Sequence, residues 1–264
     1  MLEVCEVCYA LEGCHRQRCG PPREVEEVVS ADPVEGEVKG ERFHLGYTLG
    51  SGQLFRWGRD EDGWWKGIAY GTAFHLRQDG ERVRFRASAR TVGTYAGRMQ
   101  VGTFLRWYLR LDEPPILRVP RADRHLRRAR DRLKGFRFAR QEPFECVISY
   151  VLSVQAHMSL TKRRINFLAR ILGRGIDFMG VRYRQFPEPD VLAGLNGRYF
   201  RHHKFGWRSE PLANSARFVT EQLEGSMDVM AVDLESWRAI VDGLGELAGT
   251  GVGLKVHKCI ALFS

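Results

Sequence analysis

The sequence predicts an α+β protein: an N-terminal antiparallel sheet with flanking helices, then a helical domain. Three observations carry this reading. Residues 42–90 hold β-branched and aromatic residues in partial alternation, punctuated by Asp62-Gly63 and Asp79-Gly80. From about residue 121 the apolar residues recur at helical spacing instead. Near the C-terminus, "AGTGVG" separates two segments of helical pattern, and its glycines let the backbone turn tightly.

Residues 1–41 are a cysteine-containing leader and linker. The part from 20 to 41, "GPPREVEEVVSADPVEGEVKGE", has the charge, proline and glycine content of a linker. The sheet domain spans 42–118. Its strand segments are "FHLGYTLGSGQLFRW", "WWKGIAYGTAFHLRQDG" and "ERVRFRAS". A helix over Val101–Leu109 crosses the sheet with Val101, Phe104, Leu105 and Tyr108 on one face, and Pro114-Pro115 ends the unit.

The helical domain spans 119–264. "RADRHLRRARDRLKGF" sets Leu126, Ala129 and Leu133 on one stripe among many arginines. "EPFECVISYVLSVQA" places Phe144, Val147, Ile148, Val151 and Leu152 on one buried side. "SLTKRRINFLARILG" does the same with Leu160, Ile165, Leu168, Ile171 and Leu172, and Gly173 ends it. Further helices are expected at 188–195, 211–224 and 234–247, and a last one begins after the glycine-rich turn.

The 264 residues carry 41 Lys+Arg against 32 Asp+Glu, a surplus of nine positive charges that favours a polyanionic partner such as nucleic acid. No run of about 18 apolar residues exists to span a membrane. The N-terminus lacks a basic region leading into an apolar core, so an intracellular location is expected, cytoplasmic or nucleoid-associated in a prokaryote. Cys5, Cys8, Cys14 and Cys19 cluster at C-x2-C-x5-C-x4-C. In a reducing compartment this spacing suits zinc or an iron–sulfur cluster, or it is a leader that happens to carry cysteines.

In "GTGVGLKVHKC", Gly249, Gly251 and Gly253 allow a tight helix–hairpin–helix turn, with amides at the second helix's N-terminus open to a phosphate. Lys255 falls in the first turn of that helix. Taken alone, it reads as a phosphate contact or an exposed lysine.

Four segments carry a resemblance to the 8-oxoguanine DNA glycosylase/AP lyase family, of the helix–hairpin–helix glycosylase superfamily. "SGQLFRW" at 51–57 resembles its S-G-Q-x-F-R-W signature, and "RQEPFECVISYVLS" at 140–153 its R-Q-D-P-x-E-C helix. "GWRSEPLANSAR" at 206–217 resembles a G-Y-R-A…S-A-R segment, and "GTGVGLKVHKC" a G-V-G-x-K-V-x-x-C segment.

The resemblance implies a base-excision repair enzyme that extrudes a damaged purine from duplex DNA. Lys255 then attacks C1′ and expels the base, and β-elimination from the Schiff base nicks the strand. Partial burial and neighbouring cations such as Lys258 are expected to favour the neutral amine. By the same resemblance the Gly52 carbonyl accepts the N7–H that distinguishes 8-oxoguanine from guanine, where N7 is an acceptor. Read from the residues alone, Gly52 is a turn glycine between strands.

Cys259 and Phe263 match pocket walls, and also suit helix core. Trp207 matches a wedge aromatic, or else is core, and Arg208 an arginine reaching the orphaned base. Gln155 stands where an asparagine is usual, and the following arginine position reads Leu160. Relaxed preference for the opposite base is therefore expected. No cofactor is required by this chemistry, the partner is duplex DNA containing oxidised guanine, and a monomer suffices.

The chain departs from the family pattern after Lys255. A V-D-x-H segment with the catalytic aspartate and a later pocket helix are absent from these 264 residues. The expectation is a C-terminally incomplete domain, from a fragment or a shortened product, with weak activity and a last helix lacking partners for its buried face. Two alternatives follow: a glycosylase for another damaged purine, such as an alkylated one, or a catalytically weak DNA-binding remnant.

Overall fold

The structure, a computed structural model, describes residues 32–114, 119–120, 122–223 and 232–264. Cys5, Cys8, Cys14 and Cys19 lie outside the described residues. The observed architecture is α+β, with an antiparallel sheet and a helical domain.

Strands β1 (Val34–Lys39), β2 (Trp57–Arg59), β3 (Trp65–Ala69), β4 (Thr72–Asp79) and β5 (Arg82–Ala87) form one sheet in the order β1-β5-β4-β3-β2. Every pairing is antiparallel. β1 corrects the linker reading at Val34–Lys39, while residues 20–31 of that reading lie outside the described residues. It is an edge strand, where charge is normal, and Val38 pairs with Val83 and is buried while Glu35, Glu37 and Lys39 face out. The turns at Gly63 and Gly80 are as expected, with φ of 83° and 57°.

The segment 43–57, expected as strand, is mostly something else. Leu45–Leu49 is a short helix, α1, capped by His44 Nδ1, which accepts from Tyr47 N at 3.1 Å. Residues 50–56 form a loop, so Gly52 does not join two strands. Tyr70 and Gly71, at φ 49° and 67°, split the expected 64–80 strand into a hairpin.

A second hairpin, β6 (Thr91–Thr94) and β7 (Gly97–Gln100), leads into α2 (Val101–Tyr108). As expected, α2 buries Val101, Phe104, Leu105 and Tyr108. Phe104 stacks on Phe74 at 5.5 Å, and Trp57 Nε1 donates to the Tyr108 hydroxyl at 2.9 Å. Helix α3 (Arg124–Arg132) buries nothing: Leu126 and Leu133 on its apolar stripe remain 47% and 45% exposed.

The helical core is organised by α4 (Pro143–Ser153). The expectation of one buried side was too narrow, because Cys146, Ser149 and Tyr150 are buried too. Around it lie α5 (Met158–Leu172), the hairpin β8 (Gly175–Phe178) and β9 (Val181–Arg184), α6 (Pro189–Ala193), α7 (Gly197–His202) and α8 (Ser209–Gln222). Then come α9 (Leu234–Glu246) and α10 (Leu254–Phe263). The expectation that the last helix lacks partners is overturned, since Val256, Ile260 and Phe263 enter the helical core.

The β8–β9 hairpin fastens the helical domain to the sheet. Ile176 and Phe178 pack on Ile68 and Ala73. His75 Nε2 lies 2.8 Å from the Tyr183 hydroxyl, and Gln185 Nε2 donates to the Gly71 carbonyl at 2.9 Å.

Candidate functional site

The turn between α9 and α10 is built by two left-handed glycines and one threonine. Gly249 and Gly251 have φ of 87° and 73°. A Cβ on Gly251 would lie 2.9 Å from Pro211 Cβ, so backbone and neighbour both require glycine there. Gly253 has φ −83° and is the N-cap of α10. The Thr250 hydroxyl is 2.8 Å from the Leu244 carbonyl and 3.0 Å from that of Leu247, and it accepts from Val252 N at 3.3 Å. The turn is docked on α8 by Asn214 Nδ2, donating to the Gly249 carbonyl, and Ser215 Oγ, donating to that of Thr250. No side chain caps the start of α10 among the described residues, so its first amides lack the partner a capping side chain would supply.

Lys255, Cys259 and Phe263 recur at i, i+4 and i+8, so one stripe of α10 carries all three. Exposure falls along it: Lys255 is exposed, Cys259 half-buried, and Phe263 only 4% exposed. The expected burial of Lys255 is therefore not observed in the free chain. Among the described residues its amine makes no hydrogen bond or ion pair. His257 Nε2, 2.7 Å from Asp242 Oδ1, ties this first turn to α9.

At the buried end, Phe263 stacks on Tyr150 at 5.6 Å and meets Phe138 edge-on at 5.4 Å. The Tyr150 hydroxyl donates to Gln53 Oε1 at 2.8 Å, and Gln141 Nε2 donates to the Gln53 carbonyl at 3.0 Å. Gln141 N in turn donates to the Phe263 carbonyl at 2.6 Å. Gln53 is thus pinned by side chain and backbone, and the preceding residue is Gly52 at φ 80°. A Cβ on Gly52 would lie 2.5 Å from Met158 Cε, at the start of α5. The structure so gathers Gly52, Cys259 and Phe263 around Tyr150. Sequence reasoning missed Tyr150, Gln141 and Met158; the first two lie inside the quoted 140–153 segment.

Trp207 is 52% exposed and is not a core residue. Arg208 is buried, 5% exposed, against the carbonyl of Val154, which accepts from its Nε at 3.0 Å and also from its Nη2. Its Cζ lies 4.5 Å from the Trp207 ring. Gln155, exposed and at φ 49°, follows Val154 directly. The expected trio of Gln155, Trp207 and Arg208 therefore sits together. In the free chain, however, Arg208 holds the 154–157 loop instead of presenting its guanidinium outward.

A third cluster lies at the seam between the domains. Tyr70, Gly71, Glu142, Glu145, Gln185 and Glu188 line a cleft of about 120 Å³. Burial first, then Glu145 and Glu188, push the Glu142 carboxyl up to about 8. Burial raises Glu145 as well, opposed by Arg56, whose Nη1 is 3.5 Å away. Among the described residues no group of three or more His, Cys, Asp or Glu is arranged to hold a metal ion, and no helix is long and apolar enough to cross a membrane.

Residues 37–147 match the family described as 8-oxoguanine DNA glycosylase, N-terminal domain. The N-glycosylase/DNA lyase OGG1 of Arabidopsis thaliana is 29% identical over 136 residues, which cover 50% of this chain and 36% of that protein. The N-glycosylase/DNA lyase of Saccharomyces cerevisiae is 28% identical over 243 residues, covering 83% of this chain and 62% of its own length. The chain thus spans from about a third to under two thirds of these relatives.

Among solved structures, MBOgg1 in complex with a low-affinity DNA ligand is similar at a TM-score of 0.69 and 25% identity, over 87% of this chain and 76% of that one. The apo 8-oxoguanine glycosylase/lyase of Clostridium acetobutylicum shares the fold at a TM-score of 0.67 and 24% identity, over 88% and 80%. Residues 37–147 thus match the N-terminal domain of the 8-oxoguanine DNA glycosylase family, and most of the chain shares the fold of solved 8-oxoguanine glycosylases.

Proposed function

We propose that this protein is a base-excision repair DNA glycosylase with AP lyase activity, removing 8-oxoguanine from duplex DNA through a Schiff base on Lys255. The observation that carries the reading is the α10 stripe. It runs from an exposed amine beside a backbone hairpin to an aromatic floor under the Gly52 loop. Relatives described as N-glycosylase/DNA lyase and a neighbouring structure bound to DNA support it.

In this reading the hairpin amides hold a backbone phosphate without reading sequence. Trp207, already at the surface, fills the stack vacated by the extruded nucleotide. The base enters toward Cys259 and Phe263, and a carbonyl at Gly52 meets N7–H in 8-oxoguanine but a lone pair in guanine. The duplex itself covers Lys255 and excludes water from it. The neutral amine bonds to C1′ as the C1′–N9 pair leaves with the base. Proton loss and ring opening give the Schiff base, and removal of a C2′ proton expels the 3′ phosphate. With Leu160 and Gln155 at the orphaned-base positions, preference for cytosine opposite the lesion is relaxed.

A duplex with a single 8-oxoguanine, treated with borohydride during turnover, tests the assignment. Wild type is expected to give a trapped protein–DNA adduct and Lys255→Gln none. Undiminished trapping in Lys255→Gln overturns it.

A further inference from the structure

The surplus charge is unevenly spread. Residues 124–134 hold five arginines and one lysine against one carboxylate, Asp131, so this stretch supplies more than half of the net +9. It consists of α3 and the turn after it. No residue of α3 is buried, and no described helix or strand packs closely against it. At about 100° per residue, Arg124, Arg127, Arg128 and Arg132 share an arc of about 140°, with Leu126, Ala129 and Leu133 opposite. Asp131 lies in the same arc and is engaged by Arg130 at 3.0 Å. Arg127, Arg128 and Arg132 make no hydrogen bond or ion pair among the described residues.

This arrangement opposes its own folding. A nine-residue helix that buries nothing is marginal in water. Arg124, Arg128 and Arg132 are successive i, i+4 neighbours of like charge, which repel. Asp123, whose Oδ1 accepts from Leu126 N at 2.9 Å, offsets part of the cost. A polyanion along the arginine face would offset the rest.

We propose that α3 is a second duplex-binding surface, on which Arg124, Arg127, Arg128 and Arg132 contact backbone phosphates without reading bases. This rests on duplex DNA being the partner of the hairpin site. The planar guanidinium matches phosphate bidentately. The apolar side of the helix offers no Trp or Phe to anchor in a lipid interface, which argues for a duplex over a membrane.

The test is binding of an undamaged duplex by the full chain, measured against salt. Three proteins are compared: wild type, the variant with all four arginines changed to Gln, and the variant with all four changed to Lys. Gln and Lys are good helix formers, and the Asp123 cap is untouched. Each lost phosphate contact removes ~0.9 from the slope of log K on log salt, so the Gln variant is expected to lose about two to four units and the Lys variant to keep them. In wild type, duplex is expected to slow hydrogen exchange across α3. An unchanged slope in the Gln variant overturns the proposal. A Gln variant that keeps its DNA slope but loses binding to phosphatidylserine vesicles also overturns it, in favour of a membrane. Because the duplex carries no lesion, failure of the Schiff-base reading shows in trapping and not in this slope.

Discussion

The Tyr150 hydroxyl donates to Gln53 Oε1 at 2.8 Å while its ring lies parallel on Phe263, so one side chain joins the Gly52 loop to the end of α10. The tyrosine is buried on the central helix and cannot swing away without opening the core. In the proposed reaction it positions the carbonyl that senses N7–H, with no part in bond making. Tyr150→Phe keeps the stacked ring and removes the hydroxyl. Stability is expected to fall by about 1 kcal/mol. Selectivity for 8-oxoguanine over guanine should fall severalfold in single-turnover assays, while trapping on an abasic duplex persists. An unaltered selectivity ratio refutes the positioning role.

The hairpin glycines are unequal. Gly251 has φ 73° and a Cβ there would lie 2.9 Å from Pro211 Cβ, whereas Gly253 has φ −83° and open space where a Cβ would go. Gly251→Ala is expected to cost about 2–3 kcal/mol through strain and overpacking. Gly253→Ala should cost less than about 1 kcal/mol, as a weaker N-cap. Denaturant unfolding of the two variants checks the order, and equal losses contradict the geometry.

Trp207 and Arg208 are adjacent in sequence but opposite in environment. Trp207→Ala should leave stability within about 0.5 kcal/mol, since a half-exposed ring is lost, yet slow excision if the ring serves as the proposed wedge. Arg208→Ala removes both donors from the Val154 carbonyl, an expected loss of about 2 kcal/mol. Melting temperatures read beside single-turnover rates separate the two effects. A Trp207→Ala protein that excises at the wild-type rate excludes the wedge.

Much of this architecture was readable from pattern. The α2 face, the hairpins at Gly63 and Gly80 and the order of the helices follow from period and turn chemistry, which are local. The errors have non-local causes. β1 was hidden because an edge strand carries the charge that composition assigns to linkers. Residues 45–49 look β-prone, but the His44 cap and the glycines that follow favour a helical turn and a loop. At the site, the resemblance named Lys255, Cys259 and Phe263, and the structure sets them on one stripe of α10. Tyr150 and Gln141 were missed because their partner, Gln53, lies about ninety residues away. Arg208 was expected at the surface, since nothing in "GWRSEP" shows that a carbonyl at Val154 awaits it.

The seam carboxylate makes stability depend on pH with a definite sign. Folding raises the Glu142 carboxyl to about 8 from an ordinary 4.5, chiefly by burial and then by Glu145 and Glu188, while the Glu145 amide offsets only part. An acid raised by folding is stabilising in its protonated form. Its contribution is whole below the ordinary carboxylate range and is lost as pH climbs from there through 8. Glu142→Gln keeps a neutral group of the same shape at every pH. At pH 4.5 the variant should match wild type. At pH 8.5 it should be more stable by about 1 kcal/mol or more, roughly 2–4 °C in melting temperature for a chain of this size. Calorimetry at the two pH values decides it: a variant destabilised at pH 8.5 would mean that the carboxylate is held charged by partners in the folded seam, the reverse of the burial argument.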